Sequence, residues 1–353
     1  MKSGVRCVVL VYPMWHKVSF TIIAEKHIEY LSKKIKIEKI DELAFPHIYP
    51  YCKPLVLLHP VFYCMTRYSG SIAKKIHKYR GIIGFEVADS DRVSNLAVSI
   101  SHYLTALILP SNFSKKAYVR SGVRVPIHVV PHGLDDYWYT APKTLKKSFP
   151  DLLNLKLKKK LKYLLFFCWH SEYRKGADLV IAFYSKLKKE RKDVVLIVKT
   201  LTPNGIIQST VKNLGGIIVS GWLSEEQKME LYDLSDLYLL FSRGGGFELN
   251  GLEALARNVP VIAGRGGSWD DYMPDWGLVS SHSCPYVLKD NPIHIGKGVE
   301  IDVDKAVDRA LEILDNYDEY VEKTKQFKEK FLRKHFTWQN VADKILEIIH
   351  KYY

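Results

Sequence analysis

The chain has 353 residues, 47% hydrophobic and 25% charged, the balance of a soluble globular protein of about two domains. A formal net charge of +14 favours anionic partners such as phosphorylated substrates, nucleic acid or an acidic membrane surface. No apolar run approaches the ~20 residues needed to cross a bilayer, and no zinc-finger, helix-turn-helix or aromatic RNA-binding pattern is visible, so neither a membrane span nor a nucleic-acid partner is expected.

Residues 6–12, RCVVLVY, read as a buried parallel strand with no signal peptide before it. An irregular stretch with His16 and Lys17 follows, then a helical pattern over 19–34. Strand-like runs at 54–58, 81–87, 104–109 and 126–130 alternate with helical patterns at about 70–80, 91–101 and 114–121, which argues a parallel, doubly wound sheet. Three carboxylates, Glu86, Asp89 and Asp91, cluster where the 81–87 run ends, although Asp89 or Ser90 could equally cap the helix that follows. His59 also ends a strand-like run, and Pro110-Ser111-Asn112-Phe113-Ser114 offers a serine cap to the next helix. Residues 137–162 hold two prolines, many lysines and little periodicity, and read as a linker.

A second alternation begins at 163–168. Trp169, His170 and then Arg174-Lys175-Gly176 lead into a helix at 177–188, and strands are expected at 193–199 and 216–220. Ser224 with Gln227 forms a capping box for a helix that runs to Leu234. Then come an apolar run at 237–241, the triplet Gly244-Gly245-Gly246, a helical pattern at 249–257, another apolar run at 259–263 and a glycine turn at Gly264, Gly266 and Gly267. This is a βαβ unit whose loop lies at the carboxyl end of its strand, where open α/β sheets hold ligands. Glycines there let backbone N–H groups come close to a phosphate. Residues 282–300 look irregular, 302–334 read as one or two amphipathic helices, and a last helix spans 339–351.

Glu253 is out of place in its helix. Leu249, Leu252 and Ala256 define the apolar stripe, and Glu253 lies on it. An inward carboxylate needs partners. Either it pairs with an arginine or backbone N–H groups, or its two oxygens accept from a vicinal diol such as a ribose.

Gly246-Phe247, Leu249, Leu252-Glu253-Ala254-Leu255-Ala256, Pro260-Val261-Ile262 and Gly266-Gly267 together resemble the donor-binding signature of retaining GT-B glycosyltransferases, especially family 4. That signature has two glutamates with seven residues between them. Glu253 matches the second, which in the family holds the ribose of a sugar nucleotide. The first falls on Gly245, and Glu248 stands where the family usually has its second glycine. Arg174-Lys175-Gly176 resembles the family's Lys-Gly element, which binds the donor diphosphate; the family's upstream Arg is missing, with His170 near its place. The family's glycines in the first loop are also missing, leaving His16 and Lys17 as candidates. Pro131-His132-Gly133-Leu134-Asp135 is similar to the turn that closes the family's N-terminal domain. Asp270 or Asp271 stands near a further family glutamate, and Phe336-Thr337-Trp338 is similar to the aromatic turn before its final helix.

The resemblance implies an α/β fold of two Rossmann-like domains facing across a cleft, with a C-terminal helix returning to the first. Residues 1–145 would form the acceptor-side domain, 146–162 a basic linker, 163–334 the nucleotide-sugar domain and 335–353 the returning helix. It implies sugar transfer from a UDP- or GDP-sugar to a hydroxyl of a lipid, glycan or protein, retaining and without metal or cofactor. Asp89-Ser90-Asp91 has the form of a metal-binding element and is read as coincidence. Candidate catalytic residues are Glu248, Asp89 and Glu86. Candidate donor-binding residues are Glu253, Lys175, Arg174, Gly245, Gly246, Phe247, Arg243, Leu252 and His132, with Trp222 and Leu223 beside the base. Five scattered cysteines, Cys7, Cys52, Cys64, Cys168 and Cys284, point to a reduced, cytoplasmic protein without a disulfide framework. His47, Cys52, His59 and Cys64 match no zinc spacing. The lysine runs allow contact with an anionic membrane surface. Gly245 at the missing glutamate keeps a non-catalytic sugar-nucleotide binder as an alternative, and the charge keeps a basic protein whose main task is binding lipid or nucleic acid.

Overall fold

The computed structural model describes residues 7–16, 18–145, 147–169 and 171–353. Lys17 and His170 fall outside the described residues. The chain divides into a first domain, ending at Leu134 and rejoined by Lys289–Gly296 and His335–Tyr353, and a second made of Asp135–Leu288 and Lys297–Lys334.

In the first domain β1 (Val8–Tyr12), α1 (Ser19–Leu31), β2 (Ile37–Asp41), β3 (Leu55–Leu58), α2 (Val61–Lys75), β4 (Gly81–Phe85), α3 (Asn95–Ser101), β5 (Ala106–Leu109), α4 (Asn112–Arg120) and β6 (Ile127–Val129) follow in order. All six strands are parallel, in the order β2-β1-β3-β4-β5-β6. β1, β3 and β5 are buried along their whole length, as strands covered by helices on both faces must be. β2, IEKID, sits at the sheet edge, where half-exposed charges are tolerated. That is why its pattern does not read as a strand.

The chain returns to this domain at its end. Leu134 N–H donates to Phe336 O at 2.9 Å and Trp338 N–H to Leu134 O at 3.1 Å. The C-terminal helix Trp338–Tyr352 then packs on α1, with Lys34 paired to Asp343. Gly133 is required by this crossing, because a Cβ there would lie 2.5 Å from the Thr337 carbonyl carbon and the Trp338 nitrogen.

Cys7 and Cys52 form a disulfide, which corrects the expectation of five reduced thiols. The two are 45 residues apart in sequence, but β1 and β3 are neighbours, and Leu55 N–H donates to Cys7 O at 3.0 Å. Strand pairing, invisible in a cysteine count, brings them together. With one pair bonded, the cysteines do not point to a reducing compartment. Cys64, Cys168 and Cys284 are buried free thiols.

The second domain contains α5 (Asp136–Thr140), α6 (Pro150–Lys159), β7 (Lys162–Cys168), α7 (Glu172–Lys175), α8 (Ala177–Glu190), β8 (Val194–Thr200), α9 (Ile206–Asn213), β9 (Ile217–Ser220), α10 (Glu225–Asp233), β10 (Leu237–Leu240), α11 (Leu249–Ala256), β11 (Val261–Gly264), β12 (Leu278–Val279), β13 (Ser281–Cys284), β14 (Gly298–Ile301), α12 (Val303–Asp315) and α13 (Tyr317–Phe327). Its parallel sheet runs β12-β11-β10-β7-β8-β9. Two expectations are corrected here. The basic stretch read as a linker contains α5 and α6 and belongs to this domain: Leu153 is buried, Tyr163 Oη donates to Leu152 O at 2.6 Å, and Lys156 pairs with Asp236 at 2.6 Å. Lysines that lay their stems on the domain hide the helical period. The irregular 282–300 stretch contributes the antiparallel pair β13 and β14.

Gly133→Ala should destabilise the protein by about 1–3 kcal/mol, because the added methyl meets backbone that cannot yield; denaturant unfolding measures it, and Gly70→Ala, in open space, is the control.

Candidate active site

The second sheet starts at β7, grows outward through β8 and β9, then restarts at β10 on the other side of β7. The loops after β7 and β10 therefore part at the carboxyl edge, and such a switch point is where doubly wound sheets bind ligands. Here the two loops are tied together. Arg243 N–H donates to Arg174 O at 2.7 Å, and Arg174 Nη1 donates to Gly244 O at 3.2 Å. Gly176 permits the approach: its φ is +74°, and a Cβ would run into Phe241 O.

Three of the expected site residues meet at this point. The Glu248 carboxylate, 4% exposed, takes Lys175 Nζ at 2.5 Å on one oxygen and Arg174 Nη1 at 3.3 Å on the other. Glu248 is the N-cap residue of α11 and has φ +61°, a left-handed conformation that side chains other than glycine rarely adopt. Tyr272 Oη donates to its carbonyl at 2.6 Å. A Cβ on Gly245 would run into Glu248 Oε1. The space beside position 245 is thus filled by a carboxylate that comes from three residues later.

Glu253 is buried, with both oxygens engaged. Lys228 Nζ lies at 2.7 Å from one; Tyr232 Oη donates at 2.8 Å and Asn250 Nδ2 at 3.3 Å to the other. Lys228 also meets Glu225 at 3.0 Å. Burial works to lower the Lys228 pKa, but Glu253 and Glu225 outweigh it and hold it above its ordinary value. Lys228, Tyr232 and Asn250 escaped the sequence analysis, although Lys228 follows the capping box directly. Arg243 needs correcting as a donor-binding cation. Its guanidinium is 2% exposed, binds Asp178 through two bonds at 2.8 and 2.7 Å and Glu300 at 2.7 Å, and so clamps the fold. Leu252 is wholly buried and Phe247 packs on Tyr272. Trp222 is 64% exposed and meets Trp169 edge to face at 5.3 Å between centroids. Lys199 Nζ lies 5.0 Å over the Trp169 ring, and burial lowers its pKa to about 8. Asp270 accepts from Gly266 N–H at 2.8 Å, closing the second glycine turn.

Glu86, Asp89 and His132 belong to the first domain. Glu86 is buried and accepts from Phe62 N–H at 3.0 Å and Val87 N–H at 3.1 Å. Burial raises its pKa to about 8; the two N–H groups oppose the shift and Asp89 adds to it. Asp89 N–H donates to His294 Nδ1 at 3.3 Å, and the cap of α3 is Ser94 rather than Asp89 or Ser90. Half-buried His132 clusters with buried His27 and His59 around Trp338 and Phe85. Burial pushes His132 and His59 down to about 3, His59 also under the influence of His132, and holds His27 well below its ordinary value with help from both. His27 lies on the buried face of α1 with Ile23, Ile28 and Leu31, and its place on that stripe was the signal that could have found it. His16 is exposed in the loop after β1.

Residues 147–345, more than half of the chain, match the family described as family 4 glycosyltransferase in conflict systems. The chain belongs to that family. The uncharacterized protein 356 of Sulfolobus islandicus rod-shaped virus 1 is 37% identical over 97% of this chain and 98% of its own. A protein of Sulfolobus islandicus filamentous virus, whose name proposes it as glycosyltransferase 45, is 24% identical over 76% of this chain and 74% of its own. Among solved structures, Anabaena Alr3699/HepE in complex with UDP and glucose superposes with a TM-score of 0.68 at 13% identity, covering 98% of this chain and 99% of that one. The protein is a glycosyltransferase with two parallel-sheet α/β domains of the GT-B type. Among its described residues no helix is long and apolar enough to cross a membrane.

The buried groups of the first domain give this glycosyltransferase a definite pH profile. A carboxyl raised from 4.5 to about 8 stabilises the fold fully below pH ~4.5, and that contribution is lost as pH rises toward 8. The lowered histidines act oppositely: their contribution is whole above pH ~6.5 and lost as pH falls toward 3. Between pH 6.5 and 8 only Glu86 of these groups changes the balance. Glu86→Gln should remove a stability loss on the order of 2 kcal/mol across that window, read from unfolding midpoints at the two pH values.

Proposed function

We propose that this glycosyltransferase moves a sugar from a UDP- or GDP-sugar to an acceptor hydroxyl, with retained configuration and without a metal ion. The observation that carries the reading is the pair of cations, Arg174 and Lys175, held with Glu248 at the switch point of the second sheet. Guanidinium and ammonium side by side suit a diphosphate, and fixed positive charge lowers the barrier most where negative charge grows on the leaving group. The complex of HepE with UDP and glucose, on the same fold, supports a nucleotide-sugar donor.

In this reading Glu253 receives the ribose. A carboxylate has about four acceptor positions, and three are taken by Lys228, Tyr232 and Asn250. Trp222 and Trp169 offer exposed ring faces to the base. Glu248 serves the sugar in place of the glutamate missing at Gly245. Glu86, held largely protonated at neutral pH, acts on the acceptor side as a hydrogen-bond donor rather than as a base, and Asp89 orients the acceptor hydroxyl. An anionic membrane surface suits the exposed lysines of α6, Lys158 and Lys159, beside the exposed Leu157.

A second reading, a sugar-nucleotide binder without turnover, is favoured by Gly245. Product formation separates the two: released UDP or GDP, or a glycosylated acceptor, in the presence of a chelator supports the metal-free enzyme. Lys175→Ala should lower kcat/KM by about 100-fold or more, since it removes a donor aimed at the developing charge. Glu253→Gln keeps the shape of the Tyr232 and Asn250 contacts but should abolish the thermal stabilisation by the preferred nucleotide, which for the parent protein is ~2.7 kcal/mol at a hundred times Kd.

A further inference from the structure

We propose that Glu248 is an internal occupant of the diphosphate subsite: its carboxylate sits on Arg174 and Lys175 when no donor is bound, and the donor binds by displacing it. This rests on the donor-site reading above. Three observations carry it. The carboxylate bridges both cations and is itself 4% exposed, while Arg174 and Lys175 keep 12% and 18% of their side-chain surface open to solvent. It reaches them because Gly245 has no side chain; a Cβ there would run into Oε1. Its backbone is fixed in the left-handed region, with the carbonyl held by buried Tyr272, so the direction of the side chain is built in.

Carboxylate and phosphate oxygens are interchangeable partners for these cations, and both bind guanidinium through charge-assisted bonds. One carboxylate brings one negative charge, whereas a diphosphate brings two or more, so the exchange runs toward the ligand. The measured affinity is then the difference between two interactions. Glu248 holds the cations apart from solvent anions and weakens every ligand that carries phosphate but lacks the rest of the donor.

Inorganic pyrophosphate, which has neither base nor sugar, reads this subsite alone, and UDP is the second probe. Glu248→Gln removes the competing charge and should tighten pyrophosphate and UDP binding by about tenfold, the scale of one charge-assisted bond. Gly245→Ala removes no charge but pushes the end of a flexible side chain off the cations, and should tighten both probes as well. Transfer by Glu248→Gln should fall while its UDP affinity rises. Lys175→Ala should weaken both probes. Unchanged or weaker binding in both Glu248→Gln and Gly245→Ala, with Lys175→Ala still weakening it, overturns the internal occupant and leaves the donor site standing. If Lys175→Ala leaves binding unchanged, the donor-site reading falls and the proposal with it. Should Glu248→Gln fail to fold, Gly245→Ala decides alone.

Discussion

The carboxylate of Glu248 between Lys175 and Arg174 is the contact on which the carboxyl edge of the second domain's sheet depends. It joins the loop after β7 to the loop after β10, the two loops that the strand order forces apart. A buried carboxylate is costly without compensation, and cations cost energy when their solvent is removed. Each side of this contact is stable because of the other.

Around it, the second domain compensates several other buried charges with charge, while buried Glu230 accepts from the backbone N–H groups of Lys147 and Ser148. Glu253 meets Lys228, and Arg257 binds Asp233 through two bonds at 2.8 Å while donating to the carbonyls of Trp138 and Ala141. Arg243 is shared by Asp178 and Glu300. Breaking one partner of such a pair typically costs 3–5 kcal/mol. Neutral substitutions of similar shape therefore tell more about function here than truncations do.

The first domain solves the same problem by neutrality. One of its inner carboxyls, Glu86, and its three clustered histidines are held in their uncharged forms by burial. The domain that carries Arg174 and Lys175 thus leans on charge pairing, and the first domain on desolvation.

The sequence by itself determined the alternation of strands and helices, the glycine loop after β10 and the family. Each rests on local pattern: apolar runs of strand length, glycines where backbone must turn or approach, and a capping box that needs only four residues. It also marked Glu253 as an inward carboxylate, because helical period is a local property. Tertiary structure alone decided the rest. Edge strand β2 and helix α6 were hidden by surface charge, and the Cys7–Cys52 bond needed the pairing of β1 with β3. The partners of Glu253, the commitment of Arg243 to Asp178 and Glu300, and the filling of the space beside Gly245 by Glu248 all join residues far apart or turned by an unusual backbone angle. Spacing along a chain sets which face a side chain takes, but which charge finds which is settled only when separate loops are brought within a few ångströms.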